Sequence, residues 1–116
     1  MHLSVLENPD ESIVVTVRGH LDIDSAPVLA TTLDQVLDRA VPRIVVDLSG
    51  VEFCDSTGLS AFVVGHSRAA AADGWVRLAA PCPWLSRMLD SVGVSGSLDV
   101  YPGVADALAD RHPGQP

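Results

Sequence analysis

Hydroxyl and carboxylate side chains cluster near the middle of the chain, and this cluster is the strongest candidate for chemistry. Asp55, Ser56 and Thr57 are predicted to lie where a helix begins, because a β-branched run precedes them and an apolar stripe at helical spacing follows. Such side chains cap a helix by accepting hydrogen bonds from unpaired first-turn amides, and one of them is enough. Three in a row before Gly58, a poor early helix residue, predict a small polar surface that another molecule approaches.

Ser56 has two interpretations that its residue type and position leave open. It is either the ordinary N-cap hydroxyl of this helix or an acceptor of phosphate. The first turn of a helix offers amide donors and the positive end of the helix dipole, so the fold tolerates a phosphoryl group there. The added group would change the surface charge by about −1.5 to −2 at neutral pH, and with it what the surface binds.

Asp22 is the second candidate, and it also has a local and a functional interpretation. It is either a loop carboxylate or remote helix cap, or a neighbour of Ser56. Its segment leaves the C-terminal end of one predicted parallel strand, and Asp55 leaves the C-terminal end of another. Ligands and partners meet open α/β sheets at this edge, so Asp22 and Ser56 are expected to share a surface.

Other kinds of site fit the sequence less well. A serine hydrolase would need the G-x-S-x-G turn, which is missing around Ser56, and His66 lies about three helical turns away, which leaves only His20 as its base. The histidines lack metal-ligand spacing, Cys54 and Cys82 have no Cys-x-x-Cys partner, and no glycine-rich phosphate loop is present. We therefore expect no catalytic residue, no metal site, no cofactor and no enzymatic activity.

The composition limits the classes of partner. The 116 residues carry a net charge of −8, include no lysine, and are 47% hydrophobic but only 4% aromatic. Such a chain repels phosphate backbones and anionic lipid headgroups, so neither nucleic acid nor membrane is expected as a direct partner. No apolar run approaches the roughly 20 residues that span a bilayer, and no signal peptide is visible. We expect one soluble, cytoplasmic domain with reduced cysteines.

Strands and helices are predicted to alternate along most of the chain. The predicted strands cover residues 3–6, 13–17, 43–48, 75–80 and 98–101. The first two form an antiparallel hairpin, and the others are joined through helices into parallel pairs. Residues 19–22 are predicted to form a loop, and the helix after them is predicted to end at Pro42.

These elements predict an α/β fold in the order β-β-α-β-α-β-α-β-α. One domain over residues 1–110 would contain a mixed, mostly parallel sheet of about five strands and about four helices. The tail, residues 111–116, contains two prolines and a glycine and is predicted to be disordered.

In this order of elements the chain resembles a STAS domain, specifically the bacterial anti-sigma factor antagonist family. The resemblance extends from about residue 3 to about residue 109 and is carried by four segments. They are Arg-Gly-His-Leu-Asp at 18–22, the strand at 44–51, the signature Phe-Cys-Asp-Ser-Thr-Gly-Leu at 53–59, and Gly-Trp-Val-Arg-Leu at 74–78. Family members often carry Gly-Glu-Leu-Asp in the first segment, so His20 is a departure from the pattern.

The resemblance implies a phosphorylation switch between binding partners. In that family the serine after the signature aspartate is phosphorylated by an anti-sigma factor, itself a serine kinase of the histidine-kinase-like ATPase fold. The unphosphorylated antagonist binds the kinase and frees the sigma factor, phosphorylation releases the antagonist, and a PP2C-type phosphatase resets it. By this match Ser56 is the phosphorylation site, and the partner-binding residues are Asp22, Asp55, Ser56, Thr57 and Gly58.

A second class of function stays open. STAS domains also serve as scaffold or sensor subunits, in stressosomes or lipid-transport ATPase complexes, without regulation by phosphorylation. The Asp55-Ser56 pair favours the switch, because a scaffold does not require a hydroxyl there. In either case we expect a monomer or a weak dimer.

Overall fold

The computed structural model describes residues 1–91 and 98–110 as one α/β domain. Its elements are β1 (His2–Glu7), β2 (Ile13–Leu21), α1 (Ala26–Leu37), β3 (Arg43–Cys54), α2 (Ser56–Ala71), β4 (Trp75–Ala79), α3 (Pro83–Ser91), β5 (Asp99–Tyr101) and α4 (Val104–Ala109). This order, with five strands and four helices, confirms the predicted fold class. The predicted disordered tail at 111–116 lies outside the described residues.

The strands form one sheet in the order β1-β2-β3-β4-β5. β1 pairs antiparallel with β2, as the predicted hairpin requires, and each later strand pairs parallel with the strand before it. Because β2 and β3 are parallel neighbours, their C-terminal ends lie at the same edge of the sheet.

Helices cover both faces of the sheet. Ile44 and Val46 of β3 face the larger core, which includes buried residues of α1, α2 and α3. Val45 faces a smaller core that includes Tyr101 of β5 and Ala107 of α4. All three β3 residues are fully buried, which explains why their consecutive apolar run lacks the alternation of a strand with one solvated face.

The strands β2 and β3 are longer than predicted. β2 continues to Leu21 and β3 to Cys54, so the predicted loop at residues 19–21 and the predicted strand end at residue 48 are wrong. Their pairing passes through two register shifts, which break the alternation of side chains on which the prediction rested. Gly19 lies at one of these shifts with φ of 96°, a backbone conformation that favours glycine.

The helix α1 is shorter than predicted. It ends at Leu37, its last buried residue, and not at Pro42. Asp38, Arg39 and Ala40 are exposed, so continued helix there would have buried no further apolar surface. Arg39 instead reaches back to β1, where its guanidinium donates hydrogen bonds to the Glu7 carboxylate at 2.6 and 3.3 Å.

Candidate functional site

The ends of β2 and β3 are joined by a backbone hydrogen bond. Leu21 and Cys54 are register partners, and the next amide, that of Asp55, donates to the Leu21 carbonyl oxygen at 3.0 Å. Asp22 and Asp55 therefore leave the sheet side by side, each directly after one of the paired residues. This brings the two candidate segments of the sequence to one edge of the sheet.

Asp55 is the N-cap of α2. Its backbone is extended, and its Oδ1 atom accepts hydrogen bonds from the amides of Thr57 at 2.9 Å and Gly58 at 3.3 Å. The predicted helix start at this triplet is confirmed. Since Asp55 holds the cap position, the interpretation of Ser56 as the N-cap is wrong.

Ser56 is the first residue of α2 and is exposed. Its carbonyl oxygen accepts a hydrogen bond from the Ser60 hydroxyl at 2.9 Å, one turn along the helix. Thr57, the next residue, is exposed as well. The turn thus presents neighbouring hydroxyl-bearing residues to solvent at the positive end of a helix of 16 residues.

Gly58 is buried, so packing explains why a glycine occupies this position, and its predicted contact with a partner stays a prediction. A Cβ atom at this position would lie 2.3 Å from Leu21 Cδ2 and 3.1 Å from Cys54 Sγ. Glycine is therefore favoured at this position, because α2 packs closely against the two joined strand ends.

Cys54 is the last residue of β3, directly before the turn, and its free thiol is buried. Burial, together with the neighbouring carboxylate of Asp55, raises the pKa of the Cys54 thiol to about 11. The thiol is therefore protonated and a poor nucleophile at neutral pH. Cys82, which is partly buried, is also free, as the sequence predicted.

Asp22 is held in a tight turn that leads into α1. Its Oδ1 atom accepts hydrogen bonds from the amides of Asp24 at 3.1 Å and Ser25 at 3.2 Å. The Ser25 hydroxyl accepts from the Asp22 amide and donates to the His20 carbonyl oxygen, both at 2.9 Å. The hydrogen bond from the Ser25 amide is the main reason that the pKa of Asp22 is lowered, so the carboxylate is ionised and oriented.

An exposed aromatic row at the same edge was missed by the sequence analysis. Phe53 stacks on Trp84 with a ring-centroid distance of 5.8 Å and an interplanar angle of 24°. His20 packs edge-on against Phe53 at 6.1 Å, and its Nε2 atom lies 3.3 Å from a carboxylate oxygen of Glu52. The available signal was the scarcity of aromatic residues, together with the position of Trp84 just before the apolar stripe of Leu85 and Leu89 in the same helix.

A groove of about 400 Å³ lies between α1 and α2, and Thr57 is one of the residues that line it. Ile23, directly after Asp22, lines the groove and is 69% exposed. An ion pair between Asp34 of α1 and Arg68 of α2 also borders it. Because Ile23 and Thr57 line the groove, it adjoins the turns that carry Asp22 and Ser56.

The structure gives His66 a local role. It is partly buried in α2, and its Nδ1 atom accepts a hydrogen bond from the Val76 amide at 3.2 Å, which ties the helix to β4. Within residues 1–91 and 98–110, no group of three or more His, Cys, Asp or Glu side chains is arranged to hold a metal ion. Over the same residues, no helix has the length and apolar character needed to cross a membrane.

The sequence matches the family model described as "Mlab, STAS domain" over residues 4–102. The chain belongs to the STAS domain family. Over 100 residues this STAS domain is 28% identical to the anti-sigma-B factor antagonist of Bacillus subtilis (strain 168), an alignment that covers 86% of the chain and 90% of that protein.

Solved structures agree with the family. The crystal structure of an anti-sigma factor antagonist from Mycobacterium paratuberculosis superposes with a TM-score of 0.82 at 30% identity, covering 94% of this STAS domain and 93% of that chain. The Bacillus cell fate determinant SpoIIAA in its phosphorylated form superposes with a TM-score of 0.72 at 15% identity, covering 94% and 98%. The SpoIIAA likeness establishes a common fold.

Proposed function

We propose that this STAS domain is an anti-sigma factor antagonist that works by partner switching, with Ser56 as the phosphorylated residue. The observation that carries the proposal is the position of Ser56. It is exposed at the first position of α2, while Asp55 supplies the helix cap. The hydroxyl is thus not needed to cap the helix and stands where another protein can reach it.

The fold can accept a phosphate at this position. The positive end of the α2 dipole favours negative charge there, and the exposed side chain allows the phosphate oxygens to remain hydrated. Asp55 already binds the amides of Thr57 and Gly58, so the phosphate adds a second anion beside an existing one. The expected consequence is a large change in local charge with little change in the folded structure.

This change in charge explains release of the partner. The kinase that phosphorylates Ser56 would be a serine kinase of the ATPase fold that also acts as the anti-sigma factor. A surface that fits a neutral hydroxyl must desolvate about 1.5 to 2 added negative charges or face them with its own nucleotide phosphates. A penalty of about 3 kcal/mol weakens binding by more than about a hundredfold.

Asp22 has a supporting part in the proposal. Its carboxylate is fixed by Asp24 and Ser25 at the strand end beside Asp55. From there it would hold the kinase surface or orient the hydroxyl for transfer. A PP2C-type phosphatase would remove the phosphate and return the domain to its binding form.

The test is phosphorylation by purified kinases. Each ATPase-fold anti-sigma kinase encoded in the source genome is incubated with the domain and Mg-ATP, and the product is measured by intact mass and peptide mapping. One kinase should add a single phosphate, on Ser56. Ser56→Ala should prevent the transfer, whereas the matched controls Thr57→Ala and Ser60→Ala should not.

Two results would contradict the proposal. Phosphate found chiefly on Thr57 or Ser60 would refute the assignment of Ser56. A domain that no kinase of the panel binds or phosphorylates would support the alternative, a scaffold or sensor subunit without phosphorylation.

A further inference from the structure

The exposed stack of Phe53 and Trp84 is unusual for this chain. Phe, Trp and Tyr together make up 4% of the residues, and Phe62 and Tyr101 are fully buried in the two cores. Phe53 and Trp84 are instead 42% and 43% exposed. Two large apolar rings that stack on each other at the surface, instead of entering a core, indicate a surface that contacts another molecule.

The stack adjoins the first turn of α2, which carries Ser56. Phe53 lies on β3 two residues before Asp55, and its register partner on β2 is His20, two residues before Asp22. The row of His20, Phe53 and Trp84 therefore begins on the last residues of β2 and β3, just before the aspartate that follows each strand. Ser56 follows Phe53 by three residues in the chain, so one partner can contact both.

The charges around the stack favour a positively charged side chain of a partner protein. The Glu52 carboxylate lies 3.3 Å from His20 Nε2 at one end of the row on a side chain that is 75% exposed, and the carboxylates of Asp22 and Asp55 lie in the turns that follow the two strands. Arg87, the basic residue of α3, opposes this attraction locally. The whole chain nevertheless has a net charge of −8. Aromatic faces also attract cations through their quadrupole.

The same chain uses this interaction elsewhere. In the described residues the guanidinium carbon of Arg77 lies 3.7 Å from the centroid of the Trp75 ring. Trp84 offers the same chemistry on a ring that projects to solvent beside the switch. Arginine combines a positive charge with a planar group that stacks on an indole face, so it is the side chain that best fits an exposed Trp on an acidic chain.

We infer that the Phe53–Trp84 stack selects the anti-sigma kinase by receiving a positively charged side chain of that protein. The inference rests on the proposed function, because it concerns the same partner and the same edge of the sheet. Ser56 would carry the switch, and the stack would contribute affinity in the unphosphorylated state. His20, which departs from the family pattern, would belong to this selective surface.

The test measures affinity for the kinase that phosphorylates Ser56 in the assay above, by titration calorimetry in Mg-ADP. Trp84→Ala is expected to weaken binding at least about tenfold, as for an interface anchor. Trp84→Phe keeps an aromatic face and should stay within about threefold of wild type, whereas Trp84→Leu keeps apolar area only and should resemble Trp84→Ala. Leu6→Ala, at the opposite end of the sheet and also exposed, is the matched control and should not change affinity.

Each contrary result has a separate meaning. Wild-type affinity in Trp84→Ala would overturn the inference while leaving the switch at Ser56 intact. Equal affinity of Trp84→Leu and Trp84→Phe would overturn the choice of a cation. Self-association that depends on Trp84, with kinase affinity unchanged, would assign the stack to a second copy of the chain and so contradict the inference. Failure of the wild-type domain to bind any kinase would overturn the proposed function, and the inference with it.

A spectroscopic measurement reports on the stack directly. In a Trp75→Phe background, Trp84 is the remaining tryptophan, and its exposed ring should emit at long wavelength. Addition of the kinase should shift or quench this emission. A spectrum that stays unchanged at saturating kinase would contradict contact at the stack.

Discussion

The amide of Asp55 donates a hydrogen bond to the carbonyl oxygen of Leu21 at 3.0 Å, and this bond fixes the relation between the two halves of the site. It extends the parallel pairing of β2 and β3 by one residue beyond the last register pair, Leu21 and Cys54. The turn of Asp22 and the first turn of α2 are therefore both anchored to one rigid sheet edge. A kinase that recognises both turns meets a surface that is organised before binding.

Gly58→Ala should destabilise the domain. Its Cβ would lie 2.3 Å from Leu21 Cδ2, on a side chain that is itself fully buried. Overpacking of this kind costs about 1–3 kcal/mol and exceeds the helix propensity gained, which is at most about 1 kcal/mol. We expect the free energy of unfolding to fall by about 1–2 kcal/mol in urea titrations.

Gly65→Ala, in the same helix, is the matched control. Its Cβ would make ordinary contacts, 3.5 Å from Leu33 Cδ1 and 3.9 Å from Val76 Cγ2. The gain in helix propensity should then dominate and leave stability unchanged or raise it by up to about 1 kcal/mol. Equal destabilisation by the two substitutions would contradict the close contact assigned to Gly58.

Asp55→Ala should remove the cap of α2. Two amides, those of Thr57 and Gly58, lose their acceptor, and a lost N-cap costs about 0.5–2 kcal/mol. Asp55→Asn keeps an acceptor oxygen and should retain most of the stability. Thermal unfolding of the two variants separates them, and equal loss in both would mean that charge, and not hydrogen bonding, is what Asp55 contributes.

Ser25→Ala should loosen the turn that holds Asp22. The hydroxyl of Ser25 links the Asp22 amide to the His20 carbonyl oxygen, and it also lies 3.2 Å from Asp22 Oδ1. The variant keeps the amides of Ser25 and Asp24, which also lower the pKa of Asp22, and loses only the smaller contribution of the hydroxyl, so that pKa should rise part of the way toward the ordinary value of 3.8. Carboxyl NMR titration measures the change, and an unmoved midpoint would show that the hydroxyl does not hold the carboxylate.

Cys54 should resist alkylation and make stability sensitive to alkaline pH. The unfolded chain releases the thiol proton near the ordinary value of 9.0, and the folded chain releases it only near 11. The unfolded state therefore binds fewer protons between these values, and the free energy of unfolding should fall by about 1.4 kcal/mol per pH unit there. At neutral pH, iodoacetamide should modify Cys82 before Cys54.

A variant separates this effect from other alkaline titrations. Burial and a hydrogen bond to Asp110 raise the pKa of Tyr101, which acts in the same direction. The comparison is therefore the difference in slope between wild type and Cys54→Ala. Identical slopes between pH 9.0 and 11 would contradict the role assigned to the buried thiol.

Local sequence signals predicted most of the fold. The β-branched run at 44–46 gave the central strand, and the triplet at 55–57 gave the start of α2. The C-terminal residues of β2 and β3 were not predictable in this way, because register shifts break the alternation of side chains. Only the pairing of the two strands, a long-range property, extends them to the site.

The candidate site was predictable only in part. The placement of Asp22 and Asp55 at one edge followed from the predicted parallel order of the two strands, although both strands extend further than predicted. The burial of Gly58 depends on how α2 packs against Leu21, and the stacking of Phe53 with Trp84 joins residues 31 positions apart in the chain. Contacts of this kind follow from tertiary packing and leave no local pattern.

The most direct measurement is the affinity of the phosphorylated and unphosphorylated domain for the same kinase. Titration calorimetry in Mg-ADP, with phosphoprotein prepared by that kinase, compares the two forms without further transfer. Phosphorylation of Ser56 should weaken binding by about a hundredfold or more, Ser56→Asp should weaken it less, and phosphatase treatment should restore it. Undiminished affinity of the phosphoprotein would contradict partner switching at Ser56.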